Sequence, residues 1–401
     1  MEKLSPESLT SSAALQGPRP RAPRYYSLDI WRGAACLLVV VYHSVCQLIP
    51  LGDDAASWAV RVFLQCWIGV PMFFVISGYC ISATADASRL RPGGHSVRDY
   101  FTRRFRRIYP PYWVWLAIVL LLTLVVSAEY FDDWRNRIRG PFELSLDQWI
   151  GNLTLTEKWR WHFGDPEQGL VFGPAWTLCY EEQFYFVTGI ILLLTPNRFF
   201  RAAILVSIGT VLARVVSSRM GFSVAGFFFD GRWLLFALGI AVYYAVNYGQ
   251  TFFRYAAMGS LAALLLALIL APVHSENKTE YGTGIAFALV ILILQPWDAV
   301  LANVPLLAPI KFCGTMCYSL YLAHWPTVLL VARWMFLHGV TDPLRTVMIT
   351  VPLSLIAGVS AGYAFHVLVE KHFLNPPRRA TSPTSQGVRD KAPTVVAVDV
   401  A

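Results

Sequence analysis

Three ionisable residues share one apolar stretch of this chain, SLDIWRGAACLLVVVYHSV at 27–45: Asp29, Arg32 and His43. An imidazole titrates near neutral pH, so His43 could take a proton from a hydroxyl as a general base. If the stretch is a helix, Arg32 and His43 lie close to three whole turns apart, on one face and about 16 Å apart along the axis. Asp29 falls one turn before Arg32 on the same stripe and is the expected ion-pair partner of that guanidinium. A second stretch, GPAWTLCYEEQFYFV from 173, brings Glu181 to a depth comparable with His43. A carboxylate there would fix the imidazole tautomer and stabilise the imidazolium, whereas Glu182 points about 100° away. A third, RLRPGGHSVRDYFTRRFRRIYPPYW at 89–113, carries seven Arg. Of these, Arg104 and Arg107 share a face at i, i+3, and forked guanidinium groups suit phosphate. Each feature also has a plainer reading. Arg32 anchors a helix at the membrane border, His43 makes one structural hydrogen bond, either Glu pairs with a structural Arg, and the Arg-rich segment is a solvated loop.

Only a membrane fold would position these residues. The 401-residue chain is 56% hydrophobic and 14% charged, with mean hydropathy +0.48, too apolar for a soluble protein of this length. Apolar runs long enough to cross a ~30 Å hydrocarbon core recur near 30–50, 58–83, 108–128, 173–195, 199–217, 231–248, 254–272, 281–297, 310–332 and 345–369. They are continuous rather than alternating, which predicts an all-α, polytopic transmembrane bundle of about ten helices. Most of the 33 Lys and Arg fall on one side if both termini are cytoplasmic, and that bias predicts this orientation. The same bias accounts for the net charge of +8 without nucleic acid, because the basic residues border an anionic leaflet. The expected domains are a disordered N-terminal segment 1–24, a membrane domain 25–375 and a disordered tail 376–401. Residues 1–24 lack the apolar core of a cleavable signal, so the first helix is expected to remain as an anchor. The seven Cys (Cys36, Cys46, Cys66, Cys80, Cys179, Cys313, Cys317) fall within the runs, with no CxxC pair and no metal-ligand spacing. They read as packing residues, and no metal is expected.

Six ordered motifs carry a resemblance: LDIWRGAACLLVVVYH (28–43), FFVISGYCIS (73–82), RRFRRIYPPYW (103–113), WTLCYEEQFYF (176–186), YSLYLAHWP (318–326) and VEKHF (369–373). Over residues 25–375 the chain resembles the acyltransferase-3 family of integral-membrane O-acyltransferases. The resemblance implies a ten-helix bundle that takes an acyl group from acyl-CoA on the cytoplasmic side and delivers it to a hydroxyl, often on a sugar. Acceptors in such proteins include surface polysaccharides, lipopolysaccharide, lipid-linked or free glycans and macrolide sugars. It further implies that His43 is essential and that Arg32 matters. Arg104 and Arg107 would be associated with the donor, Glu181 would match the Glu of the fourth motif, and His324 the His of the YLxH motif. Trp31 stands where a Leu is usual and Thr177 where a Ser is usual. Some members carry a fused hydrolase-like domain, which the short tail here is expected to leave out.

The expected mechanism sets CoA phosphates against Arg104 and Arg107 and runs the thioester arm past Arg32 to His43, which activates the acceptor hydroxyl directly or becomes transiently acylated. Acyl-CoA, most simply acetyl-CoA, is a co-substrate, and no permanently bound cofactor is expected. His324 reaches similar depth in the ninth run and could contact acceptor or oxyanion, or make a structural hydrogen bond. Aromatic residues of 129–172 (Phe131, Trp134, Phe142, Trp149, Trp159, Trp161, Phe163) could stack on a sugar or form an interfacial belt. Ser77 and Gly78 read as small residues that allow close helix contact, with Ser77 too far from His43 to be a nucleophile. Asn152 and Asn277 head chance glycosylation sequons in a chain expected in a bacterial cytoplasmic membrane. The rival reading is a proton-coupled exporter of a sugar or lipid intermediate, since buried His and Glu also serve as proton relays. It lacks repeat symmetry and gives Arg104 and Arg107 no role. The acceptor, the acyl length and the oligomeric state are not legible in the sequence.

Overall fold

The computed structural model describes residues 25–45, 57–90, 97–126, 139–164, 167–271 and 276–374. The expected disordered segments 1–24 and 376–401, both termini, Asn375, Cys46, Phe131 and Trp134 therefore lie outside the described residues. The apolar runs fold as α1 (Leu28–Val45), α2 (Ser57–Leu64), α3 (Gly69–Leu90), α4 (Val97–Val125), α5 (Leu146–Thr154), α6 (Glu157–Arg160), α7 (Trp176–Leu194) and α8 (Phe199–Met220). They continue as α9 (Trp233–Asn247), α10 (Thr251–Leu270), α11 (Glu276–Leu294), α12 (Asp298–Leu301), α13 (Ala308–Thr315), α14 (Cys317–Leu337), α15 (Pro343–Arg345) and α16 (Val351–Phe365). No strand occurs among the described residues.

Nine helices among the described residues are long and apolar enough to cross a membrane. The run near 231–248 forms only the 15-residue α9, about 22 Å long against a ~30 Å core. Gly231, with φ +119°, breaks the chain just before α9; only a residue without Cβ sits there easily, because a Cβ would meet the Tyr281 hydroxyl at 2.2 Å.

Two glycine crossings set how closely the site-bearing helices approach. A Cβ on Gly33 of α1 would lie 1.9 Å from the Ile310 carbonyl oxygen of α13, and one on Gly314 would lie 1.7 Å from the Asp29 carbonyl oxygen. Gly78 of α3 and Gly239 of α9 repeat the device, each Cβ position falling 1.9 Å from a carbonyl oxygen of the facing helix. Small residues that admit backbone contact are the usual way helices pack tightly without a hydrophobic driving force. The start of α1 is pinned from a distant part of the sequence. Asp298 of α12 accepts from the backbone N–H groups of Tyr26 (2.5 Å) and Ser27 (2.9 Å), and Tyr25 donates its hydroxyl to the Ile291 carbonyl at 2.9 Å. The two bonds to Asp298 pair the backbone N–H groups that lead into α1, at the end of the helix where a carboxylate is favoured.

The segment with α5 and α6 is held internally by a buried pair in which Arg160 donates to both Glu157 oxygens (2.8 and 3.0 Å), and it meets α4 where the Tyr112 hydroxyl donates to the Asn152 carbonyl at 3.0 Å and Trp113 Nε1 to the Leu153 carbonyl at 2.9 Å. Asn152 donates to the carbonyls of Gln148 and Gly169 and accepts from Val171 N–H, so this buried side chain is a structural tie.

Gly239→Val forces a branched side chain into the α3 backbone and is expected to destabilise by about 1–3 kcal/mol, the usual cost of overpacking. A fall in the thermal midpoint of detergent-purified protein checks it. Gly209→Val, where a Cβ meets nothing within 4 Å, should leave that midpoint unchanged.

Candidate active site

A cavity of about 680 Å³ runs between α1, α3, α4, α7 and α14 and is lined by Arg32, His43, Ser77, Arg104, Arg107 and Glu181, among others. At one end lie the three arginines. Arg104 is buried; it donates to the Thr84 hydroxyl at 3.3 Å and lies over the Tyr185 ring, 4.8 Å from its centroid. Arg107, one turn on, is half-buried and faces the same space, whereas Arg103 and Arg106 are exposed and do not line it. Arg32 donates to Asp29 Oδ1 at 3.0 Å and to Cys80 Sγ at 2.9 Å, so the Asp29–Arg32 pair expected from spacing is present.

Beyond them lies His43, whose Nδ1 is 3.0 Å from the Val39 carbonyl oxygen. A carbonyl only accepts, so Nδ1 carries the proton and Nε2 carries the lone pair. His324 of α14 stands against it, ring centroids 5.1 Å apart. The His324 Nδ1 is 2.6 Å from the Tyr321 carbonyl oxygen, which by the same argument makes it the donor. Its Nε2 is buried with no hydrogen-bond partner. In the neutral ring that nitrogen can accept a hydrogen bond but cannot donate one; the Tyr321 contact is the structural hydrogen bond of the plainer expectation, and His324 does not line the cavity.

The expected Glu181–His43 pair is not formed. Glu181 Oε1 instead accepts from the Ser77 hydroxyl at 2.5 Å and the Tyr185 hydroxyl at 2.6 Å. The reason is depth. Thr177 of α7 bonds the Tyr321 hydroxyl at 2.9 Å, and Trp325 packs against Gly173, so α7 and α14 run oppositely. Glu181 lies four residues beyond Thr177 in one direction and His324 three beyond Tyr321 in the other, about 10 Å apart along the axis. A backbone carbonyl, not a carboxylate, therefore orients His43. Glu182 does not line the cavity.

Several cavity residues escaped the sequence reading. Of Ser77 and Gly78, both expected to allow helix contact, Gly78 does so and Ser77 faces the cavity. Arg232, just before α9, pairs with Asp230 (2.9 Å) and Glu280 (3.2 Å) and lies over the Trp176 ring at 5.3 Å. Its signal was an Asp-x-Arg at the start of an apolar run. None of Phe142, Trp149, Trp159, Trp161 and Phe163 lines the cavity; Trp67, Trp176 and Trp325 do. Trp159 and Phe163 instead pack against Phe227. Asn277 lines the cavity too. No group of three or more His, Cys, Asp or Glu with the makings of a metal site occurs among the described residues.

A family model described as an acyltransferase domain matches residues 25–368. The chain belongs to the acyltransferase-3 family. It is 24% identical over 332 residues to the peptidoglycan O-acetyltransferase OatA of Listeria monocytogenes serovar 1/2a, covering 76% of this chain and 49% of that protein. It is 24% identical over 338 residues to the O-acetyltransferase OatA of Staphylococcus aureus (strain NCTC 8325 / PS 47), covering 77% and 52%. A putative O-acetyltransferase of Staphylococcus aureus (strain COL) is 25% identical over 331 residues, covering 75% and 50%. The chain thus spans about half the length of the curated relatives it matches. No solved structure matches it.

The tautomers are directly measurable. Nitrogen-15 NMR of histidine-labelled protein at neutral pH is expected to show His43 and His324, each assigned by its loss in the corresponding Ala variant, as neutral rings protonated at Nδ1. A proton on Nε2 of His43 would contradict the Val39 contact.

Proposed function

We propose that this acyltransferase-3 member transfers an acyl group, acetyl in the simplest case, from acyl-CoA to a hydroxyl of a glycan acceptor. The observation that carries the reading is that one cavity holds three arginines at one end and, beyond them, a histidine whose Nε2 lone pair is free. Arg104, Arg107 and Arg32 offer charge-assisted bonds to the phosphates of CoA, and the fork geometry of guanidinium fits that planar, bidentate task. The arm of the donor then extends along the cavity past Cys80 and Ser77. His43 Nε2 removes the proton of the acceptor hydroxyl as its oxygen attacks the thioester carbon. The carbon–sulfur bond breaks, the thiolate of CoA leaves, and the imidazolium returns the proton to it; the products are the ester and free CoA. His324 stands against the His43 ring without lining the cavity, and in this scheme it packs the base.

The relatives' names support O-acetylation of a glycan such as peptidoglycan, and the nine apolar helices among the described residues support a multi-pass membrane protein, which we assign to a bacterial cytoplasmic membrane. Trp67, Trp176 and Trp325 give the cavity aromatic faces for a sugar ring, in place of the loop aromatics. Membership of an acyltransferase family, together with the arginine cluster, favours transfer over export of an unmodified substrate.

His43→Ala is expected to lower acyl transfer from labelled acyl-CoA by about 10²–10⁴-fold, the usual worth of a positioned base. Retained wild-type turnover in the folded variant would refute the assignment. Arg107→Gln is expected to weaken CoA binding to the purified protein about tenfold, as measured by calorimetry, while Arg106→Gln, on the exposed face, leaves it unchanged.

A further inference from the structure

Helix α9 is held on one side by α3, through the Gly78–Gly239 crossing, and on the other it lies at the floor of a second space. This is a groove of about 1330 Å³ between α8 and α10, with Ala237 and Ala241 of α9 beneath and Ile208, Leu212 and Leu264 along the walls. The floor is the short α9, and α10 has no residue buried within the protein. Its polarity is one-sided. Arg198 and Arg201 stand at one end, both exposed, and neither side chain makes a hydrogen bond or ion pair among the described residues. The far end is apolar apart from the Tyr281 hydroxyl, which lies beside Gly231. Ser207, within the groove, is already engaged, accepting from Trp233 Nε1 at 2.9 Å and donating to the Ala203 carbonyl at 2.8 Å. From Arg201 to Leu212 the wall rises about 16 Å, which is the depth of one leaflet of a ~30 Å core.

We propose that this groove is a specific site for one anionic glycerophospholipid of the leaflet on the Arg198 side. Its phosphate lies between the Arg198 and Arg201 guanidinium groups, and its acyl chains lie over Ala237 and Ala241 as the outer wall against which α9 is pressed to α3. Two unpaired guanidinium groups one turn apart match a phosphate, and a single charged end on a leaflet-deep apolar trough matches the shape of a lipid. A transmembrane helix from a second copy would leave both charges unanswered. The site is independent of the acyl-transfer chemistry, because none of these residues lines the first cavity.

The full chain, purified in detergent and stripped of lipid, tests this with phosphatidylglycerol and phosphatidylcholine of identical chains. Native mass spectrometry and the thermal midpoint are expected to show one retained phosphatidylglycerol and a larger upward shift with it than with phosphatidylcholine. Arg198→Gln/Arg201→Gln is expected to weaken phosphatidylglycerol binding about thirtyfold and abolish the preference, since each basic residue near an anionic headgroup contributes modestly and additively. Arg219→Gln, an exposed charge near the opposite end of α8, should change neither. Ala241→Phe, which fills the floor, should lose the adduct while the arginines remain. Equal responses to the two lipids in the wild type, or a preference that survives the double substitution, would overturn the proposal. So would a dimer that replaces the lipid adduct.

Discussion

A polar group in hydrocarbon must be met by another polar group or face a space that admits water or substrate. The inward stripe of α1 obeys that rule at every step. Asp29 and Cys80 meet Arg32, the Val39 carbonyl meets His43 Nδ1, and Arg32, Tyr42 and His43 line the cavity. The same rule governs Glu181, which is held by Ser77 and Tyr185, and Arg104, which rests on Tyr185 and Thr84. A connected chain of contacts thus runs from the arginine end of the cavity to its middle, and each member is ordered by the next.

Such an arrangement needs helices that approach closely and do not slide. The reciprocal glycines at α1–α13 and α3–α9 fix both register and distance, because each backbone fills the space that the other leaves open. Ser77 faces the cavity next to Gly78, which faces α9, so one two-residue step serves both packing and the site. Asp298 fixes the other variable, the start of α1, by taking its first N–H groups from another part of the chain.

The histidines show how backbone can do what a side chain is usually asked to do. In many sites a carboxylate fixes the tautomer of a catalytic imidazole. Here a carbonyl one turn earlier in the same helix does so for His43, and α14 repeats the arrangement for His324. This orientation adds no charge to an apolar region, and it leaves Glu181 available for the hydroxyls of Ser77 and Tyr185. His43 lines the cavity at the acceptor end of the proposed reaction and the arginines line its donor end, while His324 stands against the His43 ring outside that lining.

Much of this was legible in one dimension. Helix periodicity put Asp29, Arg32 and His43 on one stripe and Arg104 and Arg107 on one face, because relations within a helix follow from 3.6 residues per turn. The apolar runs gave the membrane class, and the ordered motifs gave the family. The relative depth of residues on different helices was not legible, because it depends on where each helix starts and how far it is displaced along its neighbour. Glu181 was therefore assigned to His43 although about 10 Å of axial distance separates its level from that of the histidine pair. Ser77, Arg232 and the three cavity tryptophans became visible only when α3, α7, α9 and α14 were set side by side, and the short α9 was a span by composition but not by length. By itself the sequence determined which faces of which helices are polar. Tertiary structure alone decided which of those faces meet, since contact across a bundle is set by packing and not by spacing along the chain.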